Sequence, residues 1–210
     1  DRYGSSTFNK CPHAPLPTMT GPPMEIHLVD DATPRAVSTP ASVPLHWQDQ
    51  VKADLDRDVA MGVIEPVSEP SEWCHRMVVV RKHDGTPRRT VDLQPLNQFC
   101  KRETWASNTP AKQARSVPKN AWKSVTDAWN GYHSCLMDEE SRHLTTFITP
   151  WGCYRYRTLP QGYQAAGDAY TERYDRLISE IEDKTKCIDD ALLWKPSIKE
   201  QFYHTCRYLT

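Results

Sequence analysis

Apolar residues recur with two different periods along this chain, and the changes of period mark out most of its elements. In PLHWQDQVKADLDRDVAMG, Trp47, Val51, Leu55 and Val59 fall at four-residue steps, which places them on one face of a helix. Pro44 suits a first turn and Gly62 a stop, so the spacing predicts a helix from about 44 to 61. HRMVVVRK and TPRRTVDL instead read as strands, and the Asp84-Gly85 pair between them is a hairpin signal. WKSVTD predicts a short strand ending at Asp127, while HLTTFIT and CYRYRTL predict a second hairpin around Pro150-Trp151-Gly152. The 3.6-residue period returns in GDAYTERYDRLISEIEDK, with Ala169, Tyr170, Tyr174, Leu177, Ile178 and Ile181 along one broad face. TKCIDDALLWK reads as strand, polar pair, strand. SIKEQFYHTCRYL closes as a helix opened by Ser197 with Glu200 three residues on, a capping box. Strands and helices mix without strict βαβ alternation, which predicts an α+β fold.

Composition changes this picture at one end of the chain. Of the 17 prolines in 210 residues, Pro12, Pro15, Pro17, Pro22, Pro23, Pro34 and Pro40 fall in residues 1–41. That stretch reads as an extended lead-in with one short strand at Glu25–Val29. Asp1 is no natural start and Leu209-Thr210 follows directly on a helical pattern, so the sequence reads as a fragment at both ends. The net charge of −1 excludes a global pull toward nucleic acid or membrane, although local patches rather than net charge do such binding. The seven cysteines are scattered, with no CxxC and no zinc-type cysteine–histidine spacing. Reduced thiols in an intracellular protein are the expectation. The chain has no run of about 18 apolar residues, so no membrane partner is expected.

The candidate chemistry lies in KCIDDALLW. Asp189 and Asp190 stand side by side within the most apolar local stretch. Two carboxylates about 4 Å apart repel by roughly 1 kcal/mol in water and about 4 kcal/mol at an effective dielectric near 20. A solvent-facing turn or a bound cation must offset that. Apolar residues on both sides of the pair predict a hairpin bend with buried flanks, and Asp127 ends another predicted strand. Three carboxylates converging from strand ends can hold Mg²⁺. A plain polar turn is the other reading, and the chain contains a control: Asp30-Asp31 lies in proline-rich chain with no apolar strand after it, and reads as solvated turn.

Five ordered segments then carry a resemblance. GVIEPVSEPSEW, VVVRKHDGTPRRTVDLQPLN, VTDAWNGYH, HLTTFITPWGCYRYRTLPQGY and KCIDDALLW together resemble the reverse transcriptases of long-terminal-repeat retroelements, nearest to the Ty3/gypsy group. The likeness runs from about Val43 to Thr210. It implies a polymerase fingers/palm fold, with an antiparallel palm sheet backed by helices and the thumb absent. The implied division is a lead-in at 1–41, fingers at 42–120 with a basic hairpin, and a palm at 121–210. Asp127 matches the first catalytic aspartate of the family, and Asp189 with Asp190 the paired aspartates of its YxDD-type motif. The resemblance implies two Mg²⁺ ions, or Mn²⁺ in their place, at these three. Lys82 and Arg88 match residues that grip a triphosphate, Tyr132 the sugar-discriminating position, and Gln161 with Gly162 the LPQG motif lining the nucleotide pocket. Implied partners are an RNA or DNA template with its primer and deoxynucleoside triphosphates; the implied setting is cytoplasmic, virus-like particles included. Lys101, Arg102, Lys112, Arg115, Lys119 and Lys123 add basic character that can follow a nucleic-acid backbone. The chain departs from the motif at Cys187, where the family usually has tyrosine. Two rival readings stay open: a non-catalytic descendant of the fold, and an RNA-dependent RNA polymerase, against which the bulky Tyr132 argues.

Overall fold

The computed structural model describes residues 17–102, 104–106 and 108–209; Cys11, Pro12 and Pro15 lie outside these. The expected strand at Glu25–Val29 does not form. Instead the lead-in makes isolated bridges, Met24 to Met137 and Leu28 to Cys100. Asp30 and Asp31 form an exposed turn. A 3-10 turn at Leu45–Trp47 leads into α1 (Gln48–Ala60), with Gly62 at φ +72° just past its end. Strand β1 (Ile64–Val67) follows, then β2 (His75–Arg81) and β3 (Pro87–Asp92), and two short helices, α2 (Gln94–Asn97) and α3 (Pro110–Ser116). Then come β4 (Trp122–Asp127), β5 (Phe147–Thr149), β6 (Gly152–Tyr156), α4 (Ala166–Leu177), β7 (Lys184–Cys187), β8 (Asp190–Lys195) and α5 (Ile198–Tyr208).

Two expected elements come out shorter. His143–Thr145, expected in a strand, belongs to a 3-10 helix at Glu139–Thr145. The Asp138 carboxylate accepts from the Glu140 amide at 3.0 Å, and the Thr145 and Thr146 hydroxyls donate to the Arg142 and His143 carbonyls at 2.8 Å. These local bonds compete with a sheet ladder. Helix α4 stops at Leu177, which is 53% exposed rather than on the buried face. Beyond it the amides of Ser179 and Ile181 bond three residues back, to Arg176 and Ile178, tightening the chain into turns.

The chain forms two compact units. One comprises His13–Glu103 and Tyr132–Ala166, the other Thr104–Gly131 and Gly167–Thr210 among its described residues. The first holds a five-stranded sheet in the order β1-β6-β5-β2-β3, antiparallel except where β2 meets β5. Pro66 is tolerated because β1 is an edge strand. Val51 and Leu55 of α1 are fully buried, as are Ile64, Met77, Leu96, Phe147 and Leu159. The β2–β3 hairpin closes as its sequence predicts. Gly85 takes φ +88°, and the Asp84 carboxylate accepts from the Thr86 amide at 2.9 Å and hydroxyl at 2.6 Å. Those bonds hold Asp84 below the usual carboxylate range.

The second unit is a three-stranded antiparallel sheet, β4-β8-β7. Ser124 and Thr126 face α5, bonded to Thr205 at 2.9 Å and to Tyr208 at 3.2 Å. Ala191 and Leu193 of β8 are buried. Alternation sends Lys123, Val125 and Asp127 to the opposite face, where Val125 is 66% exposed. One face is thus packed on helices and the other open.

Candidate active site

Asp127 and Asp190 stand opposite each other at one end of the open face, with Asp189 in the turn beside them. Register pairs Asp127 of β4 with Asp190 of β8, and Asp190 in turn with Cys187 of β7. Directly opposed residues share a face, with Cβ atoms typically about 4.5–5.5 Å apart. Asp189 occupies the two-residue turn between β7 and β8, and its carbonyl accepts from the Ala128 amide at 3.1 Å, extending the β4 ladder to the turn. Asp127 and Asp190 are exposed and Asp189 half-buried, so water screens their mutual repulsion. The flanks are less buried than the sequence suggests. Ala191 is covered, but Cys187 is half-buried and Ile188 is 51% exposed, because a turn at a sheet end projects its first residue outward.

Ile188 also carries φ +57°. For a β-branched residue the left-handed region costs on the order of 1–3 kcal/mol. The surrounding ladder enforces that conformation, and it aims the two residues that follow.

In donor chemistry three carboxylates suit a hard divalent cation, and backbone register gathers them. The side chains themselves are not gathered: among the described residues no group of three or more His, Cys, Asp or Glu stands ready to hold a metal ion.

The other sequence-predicted residues lie in the five-stranded unit. Tyr132 sits in a 3-10 turn, Gly131–Ser134, half-buried, its carbonyl accepting from the Cys135 amide at 3.1 Å. Gln161 is exposed, and Gly162 turns the chain at φ +96°. Asn97 fixes that turn, donating to the Gly162 carbonyl at 2.8 Å and accepting from the Gln164 amide at 2.9 Å. Asn97 was not singled out from the sequence; its signal is a polar residue ending the QPLN helix within reach of a glycine turn.

Lys82 and Arg88 are exposed on the β2–β3 hairpin, and neither has a carboxylate within 4.0 Å among the described residues. Arg89, read with them as part of a basic hairpin, turns the other way. It donates to the Asp58 carboxylate at 2.6 Å and ties β3 to α1. Of the further basic residues, Lys123 caps the Lys119 and Ala121 carbonyls at 3.2 and 2.9 Å, and Lys101 lies 3.7 Å from Asp30. Six cysteines of the described chain are free thiols. Among the described residues no helix is long and apolar enough to cross a membrane.

The chain has an α+β fold, and comparison identifies it as that of reverse transcriptases. A foamy viral protease-reverse transcriptase in complex with RNA/DNA hybrid superposes with a TM-score of 0.87 over 100% of this chain and 27% of that one, at 17% identity. In sequence, the chain is 24% identical over 188 residues to the enzymatic polyprotein of carnation etched ring virus, covering 85% of this chain and 28% of that protein. It is likewise 24% identical over 153 residues to the transposon Tf2-3 polyprotein of Schizosaccharomyces pombe, covering 72% of this chain and 11% of that protein. The chain therefore spans less than a third of the length of these relatives. No protein-family model matches it.

Proposed function

We propose that the chain is the fingers and palm of an RNA-directed DNA polymerase, of the kind carried by long-terminal-repeat retroelements. The observation that carries this is the register of Asp127 against Asp190, with Asp189 in the adjoining turn, at the open end of the helix-backed sheet. Asp127, Asp189 and Asp190 would hold Mg²⁺. Bound there, the metal would supply activation of a primer 3′-hydroxyl and neutralisation of developing phosphate charge. The chain's own residues divide the remaining work. Lys82 and Arg88, exposed and without carboxylate partners among the described residues, would bind phosphate oxygens through charge-assisted bonds and orient the leaving group. Tyr132 presents an aromatic ring in a loop held by backbone bonds, suited to excluding a ribose 2′-hydroxyl. Gly162, fixed by Asn97, keeps the Gln161 turn in one conformation, from which Gln161 would line the nucleotide pocket.

Primer extension on an RNA template with Mg²⁺ and deoxynucleotides tests this, comparing wild type with Asp127→Asn and Asp189→Asn. Extension in the wild type and its loss in both variants is the expected result. Extension that survives Asp189→Asn overturns the assigned mechanism. A second reading, a non-catalytic nucleic-acid-binding descendant, draws support from Cys187 in the tyrosine position and from the ungathered carboxylates. Template–primer binding without extension by the wild type would favour it.

A further inference from the structure

Directly behind the aspartates, on the helix-covered face of the three-stranded sheet, lies a polar assembly that the proposed chemistry leaves unused. Lys186 of β7 is only 8% exposed. Its ammonium lies 3.3 Å from Asp175 Oδ1, donates to the Thr171 carbonyl at 3.3 Å, and sits 4.9 Å from the centre of the Tyr174 ring. The other Asp175 oxygen accepts from the Trp105 indole N–H at 2.8 Å. The Tyr174 hydroxyl is hydrogen-bonded to that of Tyr208, which accepts from the Thr126 hydroxyl at 3.2 Å. Thr126 immediately precedes Asp127. Lys186 pairs across the hairpin with Ala191, the residue after Asp190. β4 is therefore attached to the helices by way of the Tyr174 hydroxyl, and β7, the neighbour of the Asp190 strand, by way of the Tyr174 ring.

A buried ion pair is weak support for stability, because apolar residues of similar volume often serve as well. Burial also pushes the Lys186 ammonium below lysine's ordinary pKa, against the pull of Asp175. What directional bonds from a charged group add over apolar packing is a fixed position. We infer that Lys186, Tyr174 and Tyr208 are positioning residues that set β4 against the β7–β8 hairpin, and so keep the backbone of Asp127 opposite that of Asp190, the placement from which the carboxylates would turn onto a divalent cation. The inference rests on the proposed metal site.

Direct titration of Mn²⁺ by calorimetry and electron spin resonance tests it without requiring turnover. The proteins are wild type, Lys186→Met, Lys186→Arg, Tyr208→Phe and Asp189→Asn, each with a thermal unfolding midpoint. Lys186→Met is expected to weaken Mn²⁺ binding by about 10-fold or more, the range found when supports of metal ligands are removed. Lys186→Arg should recover part of that loss. Tyr208→Phe, which deletes one hydroxyl and keeps the ring, should weaken binding while the midpoint moves by only a few degrees. Unchanged affinity in Lys186→Met and Tyr208→Phe, with binding lost in Asp189→Asn, overturns the positioning role and leaves the metal site standing. Binding that Asp189→Asn leaves intact overturns the metal site and this inference with it.

Discussion

Replacing Gly131 by alanine should destabilise the three-stranded unit through a single contact. Gly131 is buried between Asp127 and Tyr132, and a Cβ built on it would lie 2.4 Å from Tyr170 Oη, 2.6 Å from Cζ and 2.9 Å from Cε2. Tyr170 is 1% exposed and its ring packs 5.7 Å from that of Tyr174, so it cannot swing aside as a flexible chain end would. Two terms oppose each other. Gly131 is not among the glycines with positive φ, so alanine gains about 0.4–1 kcal/mol by restricting the unfolded chain. Overpacking a rigid site costs about 1–3 kcal/mol. At the middle of both ranges the clash wins, with a net loss of about 1.3 kcal/mol. In a chain of this size each kcal/mol moves the unfolding midpoint by about 2–4 °C, so a drop of a few degrees is expected by circular dichroism. Tyr170→Leu opens the space, and adding Gly131→Ala to it should then cost nothing, a coupling of at least about 0.5 kcal/mol in the double-mutant cycle. A neutral or stabilising Gly131→Ala, additive with Tyr170→Leu, would refute the close approach.

Three further outcomes follow from the five-stranded unit. Leu55→Ala, at a fully buried position of α1, should cost about 2–5 kcal/mol in urea unfolding; a cost under about 1 kcal/mol would mean α1 is not docked. Glu65 lies 2.5 Å from Arg155, 3.6 Å from Arg157 and 3.9 Å from Arg142, so Glu65→Gln leaves three guanidiniums facing one another. A loss of about 1–2 kcal/mol at low salt is expected, shrinking as salt screens the cluster, and a salt-independent loss would contradict this. His75 is 1% exposed and bonds the Leu144 carbonyl through Nε2 at 2.9 Å; burial holds its pKa below the ordinary value. Its native form is neutral while the unfolded chain takes up a proton below about pH 6.5. Stability should thus be fully present above that pH and fall as pH drops below it, by up to about 1.4 kcal/mol per pH unit from this residue. His75→Gln should flatten that slope, measured by urea unfolding at pH 7 and pH 5.

Local chemistry decided which elements could be read from residues alone. The Asp84-Gly85 turn, the WKSVTD strand and the Ser197 cap, whose hydroxyl accepts from the Glu200 amide at 3.3 Å, each carry their instructions within a few residues. The 3-10 helix at Glu139–Thr145 does not, because its threonines look strand-like until their hydroxyls are seen bonded to nearby carbonyls. Strand β1 was hidden by Pro66, acceptable only at a sheet edge that sequence does not reveal. At the candidate site, apolar flanks placed Asp189 and Asp190 at a bend, but nothing local announced that Asp127 would stand opposite Asp190; that is long-range register. The roles of Lys82, Arg88, Tyr132, Gln161 and Gly162 came from the family likeness rather than from spacing. Lys186 was invisible because a lysine in a strand usually reads as solvent-facing, and only tertiary packing turns it inward.

The two-residue turn at Ile188–Asp189 bears on how such a chain can change over generations. Side chains alternate along a strand, so one inserted or deleted residue in this hairpin would turn Asp190 to the helix side while Asp127 stayed where it is. Substitution is a gentler route: glycine at 188 would relieve the backbone while leaving the count intact. Lineages descended from this sequence should therefore vary in letters rather than in length at the acidic hairpin.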